Sequence, residues 1–247
     1  MKNLKYIFLL LIFFSACKAE KNTFTDSGLN PDNFETEVNG KKTGLYVLKN
    51  SNNMEVCVTN FGGRIVSIMV PDKNGIMRDV VLGFDSISDY MLTLNADSFT
   101  PIDSTFMTTG DISKVENTPM DFRISKSLSD VYKSNYIQID YANGIDHNWV
   151  LNTKGDISVP CAKLVSKKTG ISLSVYTNDP GIQIYSGNFL DGSLKGKKGI
   201  IYGLRSAVCL ETQHYPDSPN KEDWPSVVLR PGETYKSKCI YKFSVNN

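Results

Sequence analysis

The rhythm of this chain limits its fold more than any other feature. Short apolar, β-branched and aromatic runs alternate with clusters of Gly, Pro, Asn and Asp. No stretch of ten or more residues keeps a helical period. Leu45–Lys49, Glu55–Asn60 and Arg64–Val70 read as strands, separated by turns at Asn52-Asn53 and Gly62-Gly63 and followed by one at Asp72–Gly75. The pattern resumes at Tyr136–Asp140, Ala162–Val165, Ile171–Tyr176 and Gln183–Tyr185. Val227–Leu229, a Pro231-Gly232 turn and Tyr235–Phe243 read as a closing hairpin. Many short strands at near-regular spacing, without an internal repeat or a second composition regime, predict one all-β antiparallel sandwich over residues 38–247.

Composition narrows the classes of function. With 40% hydrophobic residues the chain is too apolar for disorder, and 27 basic against 26 acidic side chains give no field to attract nucleic acid. Lys2 and Lys5 precede the apolar run Tyr6–Phe14, which at nine residues is about half the roughly 20 that a membrane span needs. Residues 1–16 therefore read as an export signal. Ser15-Ala16-Cys17 resembles the lipobox of a bacterial lipoprotein, with Cys17 as the lipidated residue; the plainer alternative is an ordinary signal beside an accidental cysteine. The expectation is an exported protein, periplasmic or at the cell surface, held by lipid alone. Residues 17–37 read as the lipidated cysteine and a flexible polar tether. Cys57, Cys161, Cys209 and Cys239 lack metal spacing and sit among apolar neighbours, so buried free thiols are expected, a disulfide being the alternative.

Few patterns carry chemistry. Gly192–Lys198 falls short of a phosphate loop and reads as a solvated loop. No serine sits in a G-x-S-x-G elbow, and His147 and His214 are the only histidines. Three clusters remain. Gly144–Trp149 sets Asp146 and His147 beside an aromatic ring. Pro180–Phe189 alternates polar and aromatic residues about Gln183. Leu210–Asn220 places Glu211 after the apolar run Ala207–Leu210. A glutamate at the end of such a run is either functional or a salt-bridged structural residue. Amide, carboxylate and aromatic groups together suit a sugar, which offers hydroxyls at its edges and C–H groups on its faces.

In this order the clusters resemble the aldose 1-epimerase (galactose mutarotase) family. The match is strongest at Leu210-Glu211-Thr212-Gln213-His214-Tyr215-Pro216-Asp217-Ser218-Pro219-Asn220. Gly144–Asn148, Asp179–Asp191, Asn95–Asp97 with Thr108–Gly110, Thr118–Arg123, Asn60–Arg64 and Pro71–Phe84 extend it across about Leu45–Phe243. The resemblance implies a shortened galactose mutarotase-like supersandwich that interconverts α and β anomers of aldoses such as galactose and glucose, without a metal or organic cofactor. It puts Glu211 at the general base and Asp146 and Gln183 at sugar-binding positions. Family members carry a large central section that is missing here between Tyr90 and Leu92, and with it the histidine regarded as the general acid. His147 and His214 match histidines the family has besides its catalytic ones. Strand alternation also turns His147 away from Asp146, and His214 away from Glu211 and Gln213. The implied activity is therefore impaired, and the alternative is a non-catalytic carbohydrate-binding or vestigial lipoprotein.

Overall fold

The computed structural model describes residues 24–82 and 90–245. Cys17 and the signal segment lie outside them. The described part is nearly all antiparallel β structure in four sheets, as the alternation predicts. A two-stranded ribbon joins β1 (Glu37–Val38) and β2 (Lys41–Lys42). A four-stranded meander follows: β3 (Leu45–Lys49), β4 (Glu55–Thr59), β5 (Arg64–Pro71) and β6 (Met77–Asp79). Its turns use the expected residues, with Asn53, Gly62, Gly63 and Gly75 at positive φ. Asp72 closes the β5–β6 turn by accepting the N–H groups of Asn74 and Ile76.

Two five-stranded sheets enclose the main core. The first runs β10 (Lys126–Ser127), β7 (Tyr90–Leu94), β12 (Ala162–Ser166), β13 (Ile171–Thr177) and β16 (Cys239–Val245). The second runs β15 (Cys209–Gln213), β14 (Gly181–Tyr185), β11 (Asp146–Val150), β8 (Ser98–Thr100) and β9 (Ser113–Lys114). Leu92, Leu94, Leu164 and Val175 from the first sheet pack with Phe99, Trp149, Ile182 and Ile184 from the second. Trp149 is fully buried against Phe99 and Phe122, and its indole N–H reaches Met120 O at 3.1 Å. Burying side chains of this size contributes about 2–3 kcal/mol each, so this layer carries most of the stability.

Several expectations need correction. Tyr136–Asp140 is not a strand: α2 (Ile137–Ala142) occupies it, after a single turn, α1 (Leu128–Val131). Alternating Ile137 and Ile139 mimic a strand, yet Ile139 and Ala142 are buried three residues apart while Ile137 is exposed. The buried Gln138 amide clamps both backbone groups of Ile102, and Asn143 ends the helix with left-handed φ. The closing hairpin does not form either. β16 pairs with β13 over seven Cα partners, and Val227–Leu229 is irregular and exposed. The Gly192–Lys198 loop is pinned rather than freely solvated: Lys197 Nζ meets Asp79 Oδ2 at 2.7 Å and also donates to Val66 O. All four described cysteines are free. Cys57 and Cys161 are buried as expected, Cys209 is half-buried, and Cys239 is exposed.

The expected tether is ordered from the first described residues. Asn30 caps a 3-10 turn at Pro31–Phe34, and Ser27 is buried against the meander. The cause is Glu55, fully buried, whose carboxylate accepts the N–H groups of Asp26 (2.9 Å) and Ser27 (3.1 Å) and meets Lys49 Nζ at 3.2 Å. Burial raises its pKa, but the two amides and Lys49 together bring it below the ordinary value. Glu55→Ala is expected to cost about 2 kcal/mol, because a charge-assisted acceptor of two amides is lost. Amide hydrogen exchange should then rise first in residues 25–30. Unchanged protection there would refute the anchoring role.

Candidate functional site

The second five-stranded sheet separates its side chains cleanly. Phe99, His147, Trp149, Ile182, Ile184 and Leu210 turn into the core, and the residues between them share the opposite face. On that face Thr100 and Asn148 lie buried, while the surface opens toward β15. Glu211, Gln183 and Asn148 are successive partners across β15, β14 and β11, and Asp146 is paired with Tyr185 one step along. Three residues far apart in sequence thus meet on one patch: Asp146, Gln183 and Glu211.

Their hydrogen bonds form a line. Gln213 Nε2 donates to Gln183 Oε1 at 3.4 Å, and Gln183 Nε2 donates to Asp146 Oδ1 at 2.7 Å. Burial pushes the Asp146 carboxyl above the ordinary carboxylate value, partly opposed by the Gln183 amide. Glu211 is raised as well, by partial burial first and then by the negative charge of Asp146. Glu211 is exposed rather than buried, and no ion pair with it occurs among the described residues. The salt-bridged structural reading of this glutamate therefore has no support in the geometry. A carboxylate raised by partial burial and by a second carboxylate, reachable from solvent beside two amides, is suited to accepting a proton from a bound hydroxyl.

The histidines lie elsewhere. His147 is fully buried between Phe99 and Trp149, with Nδ1 accepting the backbone N–H of Asp146 at 3.1 Å. Burial lowers its pKa to about 3, so it stays neutral. It points away from Asp146, as alternation predicts. His214 lies just past β15, half-buried, where the chain turns into the buried Tyr215, which packs edge-on against Trp224. The turn that follows is held to the 101–109 hairpin by Thr108 Oγ1, which donates to Pro216 O at 3.2 Å. Gly181 must be glycine here, because a methyl would overlap Asn148 Oδ1 and press on the Tyr215 ring. Asn148 itself is 1% exposed, and neither of its amide atoms has a partner among the described residues.

The antiparallel sheets and the solved structures they superpose on place the chain in the galactose mutarotase-like β-sandwich class. The description "aldose 1-epimerase" belongs to the family pattern that matches residues 44–93 and 86–242, two segments that overlap at the join inferred between Tyr90 and Leu92. The chain belongs to the aldose 1-epimerase family. It is similar to the galactose mutarotase of Homo sapiens, 41% identical over 160 residues that cover 65% of this chain and 45% of that protein. The aldose 1-epimerase of Escherichia coli K12 is 34% identical over 160 residues, 64% of this chain and 45% of its own. This chain thus spans about half the length of the curated relatives it matches. Among solved structures, an aldose epimerase homologue from C. elegans superposes with a TM-score of 0.60 at 25% identity, covering 86% of this chain and 68% of that one. A galactose 1-epimerase from Lactobacillus acidophilus shares the fold, with a TM-score of 0.59 at 23% identity over 83% and 63% of the two chains.

Proposed function

We propose that this protein binds aldoses on the open face of the β15–β14–β11 sheet and interconverts their anomers slowly. Glu211 is the base for the anomeric hydroxyl, and Asp146 and Gln183 hold sugar hydroxyls. One observation supports the reading: Glu211, Gln183 and Asp146, 65 residues apart at their extremes, share one solvent-open patch, on which Gln213, Gln183 and Asp146 form a hydrogen-bonded line.

Mutarotation takes a proton from the anomeric hydroxyl while giving one to the ring oxygen; the aldehyde turns, and the ring recloses on its other face. A base and an acid each contribute typically about 10²–10⁴-fold. The described part of this face carries Glu211, and no imidazole faces it from β11, because His147 is buried behind the sheet. With water in place of an imidazole as the proton donor to the ring oxygen, the reaction falls short by at least the lower end of that range. The expected result is a small rate above buffer in the optical rotation of freshly dissolved α-galactose. A rate like that of the full-length relatives would mean that another acid is present. Aldose binding with no added rate would leave a carbohydrate-binding lipoprotein.

We assign the N-terminal residues to export and lipid attachment at Cys17, on the sequence pattern alone. Cys17→Ser is expected to release the protein from the membrane fraction and to remove the lipid mass. Unchanged fractionation and mass would overturn this assignment.

A further inference from the structure

The aldose-binding reading leaves one feature of the same face unused, and the inference here rests on that reading. Tyr185 stands directly across from Asp146 and shares its open face. Its ring stacks on Phe189, with centroids 6.4 Å apart and planes 17° apart, and its hydroxyl accepts the Phe189 N–H at 3.2 Å. Phe106 meets Phe189 edge-on at 5.8 Å. Phe189 is 58% exposed and Phe106 46% exposed, so the row of rings leads outward from the carboxylate patch into solvent.

Neither display is a loose loop. Asn188, almost fully buried, donates to the carbonyls of Ala142 and Ile145 and accepts from Ser186 Oγ. Gly144 has to be glycine for that amide to fit, since a methyl would overlap Asn188 Oδ1. Phe106 sits at φ 68°, a left-handed conformation unfavourable for a bulky side chain, held by the Asp103 carboxylate accepting from Thr105 and Met107. Rings fixed in the open by buried hydrogen bonds and a strained turn contribute little to the core. Strain of this kind is characteristic of binding sites.

We propose that Tyr185, Phe189 and Phe106 form an aromatic subsite for the second pyranose of a reducing oligosaccharide, whose reducing end lies over Glu211. The C–H face of that ring stacks on Phe189, while its hydroxyls stay in water. Continuity with the carboxylate patch selects a sugar over a protein surface as the occupant.

Glucose and maltose share their reducing unit, so calorimetric or NMR affinities for the two isolate the second ring. Maltose is expected to bind the wild-type protein about tenfold more tightly, the increment of one good aromatic contact. Phe189→Ala should abolish that advantage while leaving glucose affinity within about twofold and the thermal melt unchanged. Phe106→Asn, which accepts the left-handed turn without strain, should reduce the advantage in part and keep the fold. Equal affinity for the two sugars, or a Phe189→Ala variant that still prefers maltose, overturns the subsite and leaves the aldose site standing. No binding of either sugar removes both. A dimer that Phe189→Ala dissolves, with sugar affinities unchanged, would reassign the rings to self-association and also overturn the proposal.

Discussion

Glu211→Gln is expected to lower whatever mutarotation rate the protein adds to buffer by about 10²-fold or more, while aldose affinity changes by only a few fold. The amide keeps the shape and hydrogen-bonding reach of the carboxylate but cannot take the proton of the anomeric hydroxyl. In transition-state terms the loss is roughly 3 kcal/mol. Polarimetry at high protein concentration measures the rate, and equilibrium binding measures the affinity. The same carboxyl should set the acid side of the pH profile. Partial burial and the charge of Asp146 raise its pKa, so activity should fade at a pH above that expected for a free glutamate. Asp146→Asn removes the nearby negative charge and should move that limb to lower pH, with weaker sugar binding as a separate effect. A Glu211→Gln rate equal to wild type would sink the assignment of the base and leave the patch as a binding site.

Acid should destabilise the fold through His147 before the carboxylates matter. The unfolded chain binds a proton at this imidazole near pH 6.5, while burial keeps the folded form neutral down to about pH 3. Between those values the unfolded state holds more protons, so stability falls as pH falls, by up to about 1.4 kcal/mol per pH unit. From pH 7 to pH 4 the expected loss is about 3 kcal/mol, a large share of a typical domain's stability. Glu55 and Asp72, held low, add to the loss as pH falls through their ordinary values of 4.5 and 3.8, and Asp146 and Glu211, held high, act in the opposite direction. Urea unfolding across this range measures the slope, and His147→Phe should flatten it. NMR of the wild-type imidazole gives an independent check. Titration of that ring near pH 6 in the folded protein would refute its burial and reopen it as an acid.

Much of the site was legible because strand alternation is a local rule. Along β11, Asp146 and His147 must face opposite ways, and the structure puts one on the open patch and the other in the core. Along β14 the same rule puts Gln183 and Tyr185 on one face, within the alternating polar and aromatic cluster Pro180–Phe189. The turns were equally legible, since Asn53, Gly62, Gly63 and Gly75 supply conformations that other residues avoid.

Local pattern also misled. Ile137 and Ile139 read as strand residues, but Gln138 finds its partners on Ile102 and the segment closes into a helix. Residues 25–30 read as tether because their polar composition carries no sign of a buried carboxylate 28 residues further on.

The sequence by itself determined the all-β class, the positions of strands such as β3, β4, β5, β12, β13 and β14, and which side chains share a face. Each follows from the twofold repeat of an extended backbone and the φ limits of individual residues. Only the tertiary structure decided the ladder order β15-β14-β11 that brings Asp146, Gln183 and Glu211 onto one patch. It also decided that β16 pairs with β13 and that the N-terminal segment docks on Glu55. These pairings join residues remote in the chain, and their free energy comes from ladder hydrogen bonds and burial that exist only once the sheets have assembled.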